Sequence, residues 1–264
     1  MLILYRMANL VSNEFMPEVA VIVPARLAST RFPEKLLHPI AGVPLLAHVA
    51  RRLRKEVTEW PVYFAVDDPR LEEVARAEGM ETVMTSPDHA SGTDRLAEAN
   101  RQVGAAVVLN VQADEPLVSG GQIRALYESL TVDFSMSTLV TPFQRPEDFQ
   151  NPDQVKCVCG VGGEAIYFSR APIPWPRGGI PEAGAAFWQE TPPYRHLGLY
   201  GYRAEFLEAF HDLPVGRLEQ QERLEQLRAL ENGYRIAVGI TNEPSLGIDT
   251  PADAENFARR IEAN

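Results

Sequence analysis

The sequence predicts an α/β fold with a mostly parallel central sheet flanked by helices, to which a mixed-sheet insertion is added. Between residues 19 and 111, short apolar runs alternate with amphipathic helical patterns, which is typical of parallel strands joined by right-handed crossover helices. Between residues 133 and 202, candidate strands follow one another without regular helices, so we expect the mixed insertion there. The 264 residues suffice for one large domain. We place that domain at residues 18–264 and expect residues 1–17 to be a disordered N-terminal extension.

The first half of the chain carries the parallel strands. An apolar run begins at Val19 and breaks at Pro24. Residues 106–111 form the most apolar run, which we expect to be a central strand buried on both faces. Apolar spacing and the positions of Pro, Gly and capping residues predict the other elements. They are helices at 43–55 and 69–78, strands at 61–66 and 81–84, a helix through Leu96, Ala99 and Val103, and a helix that begins near Ser119.

The second half mixes strands, helices and one long loop. Strands are predicted at 134–141, 155–161, 165–169, 196–202 and 234–240, and helices at 205–211, at 217–232 and from Pro251 onward. Residues 172–193 are rich in Pro and Gly, and such a long loop is usually functional or disordered. Whether it closes over a ligand stays open. Thr250 and Pro251 explain the start of the last helix, which leaves the preceding Asp249 free for another role.

The loop after the first predicted strand is basic. Arg26, Arg31 and Lys35 are opposed only by Glu34, in a chain of net charge -11. A basic loop at the carboxyl end of a parallel strand is a common site for phosphate or carboxylate. The alternative is a solvated surface loop, and these residues alone do not decide between the two.

An aspartate follows the predicted central strand. Asp114 lies just beyond residues 106–111, where a carboxylate could bind a metal ion on a bound phosphate. The alternative is a loop acid that caps the helix near Ser119, which suits Glu115 better than Asp114.

Charge, cysteine content and hydropathy exclude several classes of protein. The 36 acidic residues outnumber the 25 basic ones, so nucleic acid is not an expected partner. We interpret Cys157 and Cys159, one residue apart on a predicted strand, as reduced thiols rather than a metal pair. No segment has the run of about 20 apolar residues that crosses a bilayer, and residues 1–18 lack a signal-peptide core. We therefore expect a cytoplasmic protein without membrane insertion. Dinucleotide-binding, P-loop and nucleophile-elbow motifs are absent.

Seven short blocks occur in order along the chain. They are PARLASTRFPEKLL at 24–37, HASGTDR at 89–95, NVQADEP at 110–116, YFSR at 167–170, RHLGLYGY at 195–202, EQLR at 225–228 and DTP at 249–251. Together they resemble the 3-deoxy-manno-octulosonate (Kdo) cytidylyltransferase family, from about Val19 to the end. The family usually has glycine where this chain has Ala113, and often where it has Glu34. A positive φ at Ala113 would therefore be unfavourable.

The resemblance implies a Rossmann-like nucleotidyltransferase fold and the reaction CTP + Kdo → CMP-Kdo + pyrophosphate, which activates the sugar acid for lipopolysaccharide synthesis. It also implies Mg²⁺ as cofactor and a homodimer formed through the inserted sheet. The catalytic residues implied are Arg26, Lys35, Asp114 and Asp249, the last two being the metal ligands. The CTP-binding residues implied are Arg26, Ser29, Arg31, Lys35, His89, Ser91 and Arg95. The Kdo-binding residues implied are Gln112, Arg170, His196, Tyr200, Glu225 and Gln226, with Arg170 as the partner of the sugar carboxylate.

Several of these residues also have a purely structural alternative. His89 and Ser91 precede a predicted helix, which Ser91 could cap. His196 and Tyr200 lie on a predicted strand and could be packing residues.

Three other functions remain as alternatives. An acylneuraminate cytidylyltransferase typically has a Gly-Ser-Lys-Gly core where this chain has Ala28-Ser29-Thr30-Arg31, so it is the less favoured enzyme. An enzyme for an 8-amino variant of Kdo is not distinguished by these residues. A catalytically inactive nucleotide-binding module would not need Lys35, Asp114 and Asp249 together.

Overall fold

The computed structural model describes residues 16–89, 91–243 and 246–262. The expected N-terminal extension lies outside the described residues, apart from Met16 and Pro17. The strands are Val19–Ala25 (β1), Pro39–Ile40 (β2), Val43–Pro44 (β3), Val62–Val66 (β4), Glu81–Met84 (β5), Val107–Asn110 (β6), Met136–Pro142 (β7), Lys156–Cys159 (β8), Ala165–Ser169 (β9), Tyr194–Arg203 (β10) and Ile236–Ile240 (β11). The helices are Leu45–Glu56 (α1), Pro69–Ala77 (α2), Gly92–Val103 (α3), Gly120–Ser129 (α4), Pro146–Gln150 (α5), Phe187–Glu190 (α6), Ala204–Phe210 (α7), Arg217–Glu222 (α8), Leu227–Glu231 (α9) and Pro251–Glu262 (α10).

Nine of the described strands form one mixed central sheet, and β2 and β3 form a separate two-stranded sheet. Within the described residues the order of the central sheet is β11-β7-β10-β6-β1-β4-β5, and β8 and β9 branch from β10. β1 is parallel to β4 and β6, and β5 is parallel to β4. β10 is antiparallel to β6 and β7, whereas β11 is parallel to β7. The predicted α/β class is confirmed. The strands of region 133–202 make the sheet mixed, and two of them, β7 and β10, are continuous with its centre.

Apolar side chains cover both faces of the sheet. Along β1, Val19, Val21 and Val23 belong to one hydrophobic cluster, and Ala20 and Ile22 belong to the other, because successive side chains of a strand point to opposite faces. Helices α1, α4 and α10 pack on the first face, and α3, α7 and α9 pack on the second. β6 is buried along its whole length, as its apolar sequence predicts.

The prediction of a single helix at residues 217–232 is wrong. α8 ends where Arg223 adopts a left-handed φ of 54°, and α9 begins only at Leu227. Leu224 and Gln226, which lie in the segment that connects the two helices, are both buried. Residues two apart on a continuous helix point in different directions, so the break allows both side chains to enter the interior. The turn thus also carries Glu225 inward.

The proline-rich segment 172–193 is packed against the domain. It contains α6, whose Trp188 is buried with Phe143 and Phe149 in a small third hydrophobic cluster. The ring centroids of Phe149 and Trp188 are 6.0 Å apart. Part of this segment therefore has a core contact of its own.

Among the described non-glycine residues, positive φ occurs at Glu34, Ala41 and Arg223. Ala113 therefore has an ordinary backbone conformation, and the family's usual glycine is not needed there. Glu34, the other departure, has a φ of 50° and immediately precedes the 3₁₀ turn Lys35–Leu37. A side chain in this region of φ costs about 1–2 kcal/mol.

We expect Glu34→Gly to raise the free energy of unfolding by about 0.5–1 kcal/mol, because relief of this strain exceeds the entropy cost of glycine. Urea denaturation measures the difference. Glu34→Ala is the control, since it also removes the carboxylate that accepts from Arg70 at 2.9 Å but keeps Cβ. A glycine variant no more stable than the alanine variant would contradict the prediction.

Candidate active site

The basic loop and two aspartates line one cleft at the carboxyl edge of the parallel strands. β1 and β6 are parallel neighbours, with Ile22 opposite Asn110, so the segments that follow them leave the sheet at the same edge. The cleft has a volume of about 310 Å³. Its lining residues are Pro24, Arg26, Ala28, Ser29, Thr30, Arg31, Lys35, Leu36, Gln112, Ala113, Asp114 and Asp249.

Lys35 joins the two aspartates. Its ammonium group donates to Asp114 Oδ2, to Asp249 Oδ1 at 3.2 Å and to the carbonyl of Ile248 at 3.0 Å. Arg31 Nη2 donates to the same oxygen of Asp249 at 2.8 Å. The side chain of Lys35 is 13% exposed, whereas that of Arg31 is 64% exposed. Two acids from distant parts of the sequence thus share one largely buried cation.

A second pocket, of about 200 Å³, continues from this cleft. Its lining residues are Pro24, Arg26, His89, Ser91, Gly92, Arg95 and Gln112. Pro24, Arg26 and Gln112 line both spaces, so the two form one elongated site. Ser91 is the N-cap of α3, because its Oγ accepts from the backbone N–H of Asp94 at 3.2 Å. Capping therefore explains the position of Ser91 but does not remove it from the pocket.

Arg95 is linked to the basic loop through the carboxylate of Asp67. Its side chain is 3% exposed, and Nη2 donates to Asp67 Oδ2 at 2.9 Å. The other oxygen of Asp67 accepts from the backbone N–H of Leu27 at 2.9 Å. Asp67 therefore ties Leu27, next to Arg26, to the first turn of α3. The sequence analysis did not identify Asp67, although its position directly after β4, at the same edge of the sheet, is a usable signal.

Gln226 is buried, and so is the Oε1 atom of the half-buried Glu225, whose carboxylate contacts α3. Thr93 Oγ1 donates to Glu225 Oε2 at 2.7 Å. Among the described residues, Glu225 Oε1 and Gln226 Nε2 have no hydrogen-bond partner. Burial raises the pKa of the Glu225 carboxyl. Two adjacent unpaired buried groups are costly in a folded protein unless a ligand or water pairs with them.

His196, Tyr200 and Gln112 lie together near the centre of the sheet. His196 Nε2 is 2.9 Å from Thr138 Oγ1, and its ring centroid is 5.5 Å from that of Tyr200. Burial lowers the pKa of His196 to about 3, so the ring is neutral at physiological pH. Gln112 Nε2 donates to the carbonyl of Gly198 at 3.2 Å. The arrangement can offer hydrogen bonds but no imidazolium charge.

The chain is similar in sequence to known cytidylyltransferases. The cytidylyltransferase family model matches residues 20–236. The 3-deoxy-manno-octulosonate cytidylyltransferase of Acidovorax sp. (strain JS42) is 47% identical over 249 residues, covering 89% of this chain and 94% of its own. The protein of that name from Syntrophobacter fumaroxidans (strain DSM 10017 / MPOB) is 46% identical over 239 residues, covering 89% and 93%.

The chain belongs to the 3-deoxy-manno-octulosonate cytidylyltransferase family. A solved structure of CMP:2-keto-3-deoxy-manno-octonic acid synthetase complexed with CTP has the same fold. It is 34% identical with a TM-score of 0.83, and the match covers 93% of this chain and 99% of that chain.

Of the residues predicted to bind Kdo, Gln112 lines both pockets, whereas Arg170, His196, Tyr200, Glu225 and Gln226 line neither. Arg170 is absent from the linings of the two pockets, and its guanidinium donates to the carbonyls of Glu222 at 2.7 Å and Pro152 at 3.2 Å. Its backbone N–H donates to Glu222 Oε2 at 2.9 Å. The structure thus uses Arg170 to hold the end of β9 against α8. A sugar carboxylate would have to displace these contacts.

Arg195 is a basic residue that was not among the site residues predicted from the sequence. It lines a cavity of about 550 Å³, which adjoins the cleft because Arg31 and Asp249 line both. Desolvation lowers the pKa of the Arg195 guanidinium, and the nearby carboxylates of Glu115 and Asp148 oppose that change. Its neighbour His196 in the RHLGLYGY block lines the same cavity, so the block by itself did not distinguish Arg195.

Proposed function

We propose that this protein transfers CMP from CTP to the anomeric hydroxyl of Kdo and releases pyrophosphate, a step toward lipopolysaccharide. The observation that carries the proposal is the single cleft that unites Arg26, Arg31 and Lys35 with Asp114 and Asp249. Family membership and the names of the relatives support it, as does the CTP complex of the similar solved structure.

The basic loop holds the triphosphate. Arg26 and Arg31 can each direct two N–H groups at phosphate oxygens, whereas Lys35 acts as a point charge. Ser29 lines the same cleft and adds a hydroxyl donor. Phosphoryl transfer needs little covalent help from the protein, because positioning and neutralisation of charge supply most of the rate enhancement.

Asp114 and Asp249 are the ligands we propose for Mg²⁺. Mg²⁺ is commonly held by one or two carboxylates together with substrate phosphates and water. The donor set fits that pattern, since both carboxylates line the cleft. The described residues contain no group of three or more His, Cys, Asp or Glu placed to hold a metal ion, so the phosphates would complete the coordination. Held by Asp114 and Asp249, a divalent ion would supply Lewis-acid chemistry that neutralises charge developing on the phosphates.

The neighbouring pocket takes the nucleoside. His89, Ser91 and Arg26 line it and can bond to cytosine or ribose. Arg95 acts mainly by holding the loop, because its guanidinium is already bonded to Asp67 and Thr85.

The sugar acid lies between the nucleotide and the centre of the sheet. Glu225 Oε1 and Gln226 Nε2 are the buried groups that we propose to pair with Kdo hydroxyls. Gln112, His196 and Tyr200 complete the wall. For the carboxylate we keep Arg170 as a prediction and add Arg195 as the cation that faces a cavity adjoining the cleft. The anomeric hydroxyl oxygen forms a bond to the α-phosphorus and gives up its proton to solvent. The bond between the α-phosphorus and the oxygen that bridges it to the β-phosphorus breaks, and pyrophosphate leaves in line.

Two expectations about the setting of the enzyme stay predictions. They are the homodimer through the strands of region 133–202 and the cytoplasmic location. Among the described helices, none is long and apolar enough to span a membrane.

Release of pyrophosphate with different sugar acids tests the proposed function. We expect Mg²⁺-dependent release from CTP with Kdo, and at least about 100-fold lower kcat/KM with N-acetylneuraminate, since buried polar groups left unpaired reject a poorly fitting substrate strongly. Chelation with EDTA should stop the reaction. Equal rates with both sugars would instead indicate the acylneuraminate activity. No release with either sugar would favour an inactive nucleotide-binding module.

A further inference from the structure

We propose that the ammonium group of Lys35 and a divalent metal ion compete for the same pair of carboxylates, so that the metal binds firmly only after CTP has drawn Lys35 away. The inference rests on the proposed function, whose metal ligands are Asp114 and Asp249. Lys35 would then have two roles. It contacts the phosphates, and it makes CTP bind before the metal ion.

The hydrogen bonds of Lys35 carry the first step. An ammonium group has three N–H donors, and Lys35 has three acceptors in Asp114 Oδ2, Asp249 Oδ1 and the carbonyl of Ile248. Both carboxylate oxygens therefore face one nitrogen. A Mg²⁺ ion bridging the same two oxygens would lie about 2.1 Å from each, in the space that Nζ holds. The two cations exclude each other.

The balance of charge carries the second step. The negative charges of Asp114 and Asp249 are balanced by the positive charges of Lys35 and Arg31. These four side chains together therefore have a formal charge of zero. A divalent ion that entered alone would leave the ammonium group without its two carboxylate acceptors in a side chain that is only 13% exposed. Separating a largely buried cation from its partners is costly. Metal binding to the nucleotide-free protein should therefore be weak.

The nucleotide removes this obstacle. Lys35 and Arg31 line the same cleft as Arg26 and Ser29, where the triphosphate is proposed to lie. Phosphate oxygens are strong acceptors for both cations. Once Lys35 and Arg31 donate to them, the carboxylates are free to bind the metal, and the phosphates supply further oxygens.

Binding of Mn²⁺ to the nucleotide-free protein, followed by electron paramagnetic resonance of the free ion, tests the proposal. We expect Lys35→Met to bind Mn²⁺ at least about tenfold more tightly than the wild type. The exposed Lys55 in α1 provides the control variant Lys55→Met, which should bind as the wild type does. Lys35→Met/Asp114→Asn should lose the gain, because the metal then lacks one carboxylate. Equal affinity in the wild type and Lys35→Met, or a gain that survives Asp114→Asn, would overturn the proposal.

Two measurements on the wild type complete the test. The first does not depend on whether a variant folds, and the second tests the proposed function separately from the competition. Calorimetry in EDTA should show that CTP binds without metal, whereas an absolute requirement for metal would contradict the proposed order. Turnover of CTP with Kdo, measured separately, tests the proposed function. If the wild type converts CTP and Kdo but Lys35→Met does not change Mn²⁺ affinity, the proposed function stands and only the proposed competition is wrong.

Discussion

Asp114→Asn is expected to lower kcat by at least about 10³-fold, because an amide lacks the charge that holds the metal and several kcal/mol of transition-state stabilisation depend on it. The fold should persist. The carbonyl of Asp114 accepts from the backbone N–H of Ile248 at 3.0 Å, and this bond does not involve the side chain. Steady-state release of pyrophosphate measures the loss, and circular dichroism measures the fold.

Asp133→Asn is the matched control, since Asp133 is exposed and outside the cleft. It should keep the wild-type rate. Asp249→Asn should show a loss similar to that of Asp114→Asn. Near-native kcat in either cleft variant would remove that residue from the proposed metal site without affecting the assignment of the other.

Arg95→Met should have the largest effect on stability, lowering the free energy of unfolding by about 3–5 kcal/mol. The substitution leaves the carboxylate of Asp67, 7% exposed, without its guanidinium partner. Because the other oxygen of Asp67 holds the N–H of Leu27, we also expect a higher KM for CTP. Urea denaturation measures the stability, and initial rates at varied CTP concentration measure the KM.

The control is Arg101→Met, which removes an ion pair to Glu208 on the surface, where the arginine side chain is 59% exposed. It should cost less than about 1 kcal/mol. Adding Asp67→Asn to Arg95→Met should recover part of the lost stability, since the unpaired charge is then gone. If Arg95→Met were as stable as Arg101→Met, the buried pair would not be what supports the basic loop.

Local patterns in the sequence predicted most of the secondary structure. The predicted strand at 81–84 coincides with β5, and the helix at 43–55 differs from α1 by only two residues at its start and one at its end. These elements have regular apolar spacing, which local sequence reports well. The helix at 217–232 failed for the opposite reason. Its apolar residues suit a helix, but the chain breaks at Arg223, and after the break both Leu224 and Gln226 are buried.

The candidate site was predicted unevenly. The basic loop and Asp114 were found because cations and an acid follow strands at one edge of the sheet, whereas the role of Asp249 was inferred from the family resemblance. All of these residues line one cleft. Arg170 lies outside that cleft, because its guanidinium bonds to backbone carbonyls of distant segments. Asp67 was missed although it anchors the loop, because its two partners, Leu27 and Arg95, are far from it in sequence.

The sequence by itself determined the alternation of strands and helices, the sign reversal in the loop after β1, and the family. These depend on residue type and spacing along the chain. Only the tertiary structure decided that Lys35 lies between Asp114 and Asp249, because that contact depends on β6 being the parallel neighbour of β1 and on the path of the chain into α10. It likewise decided that Glu225 Oε1 and Gln226 Nε2 are buried and unpaired among the described residues, since burial depends on which elements pack together rather than on local pattern.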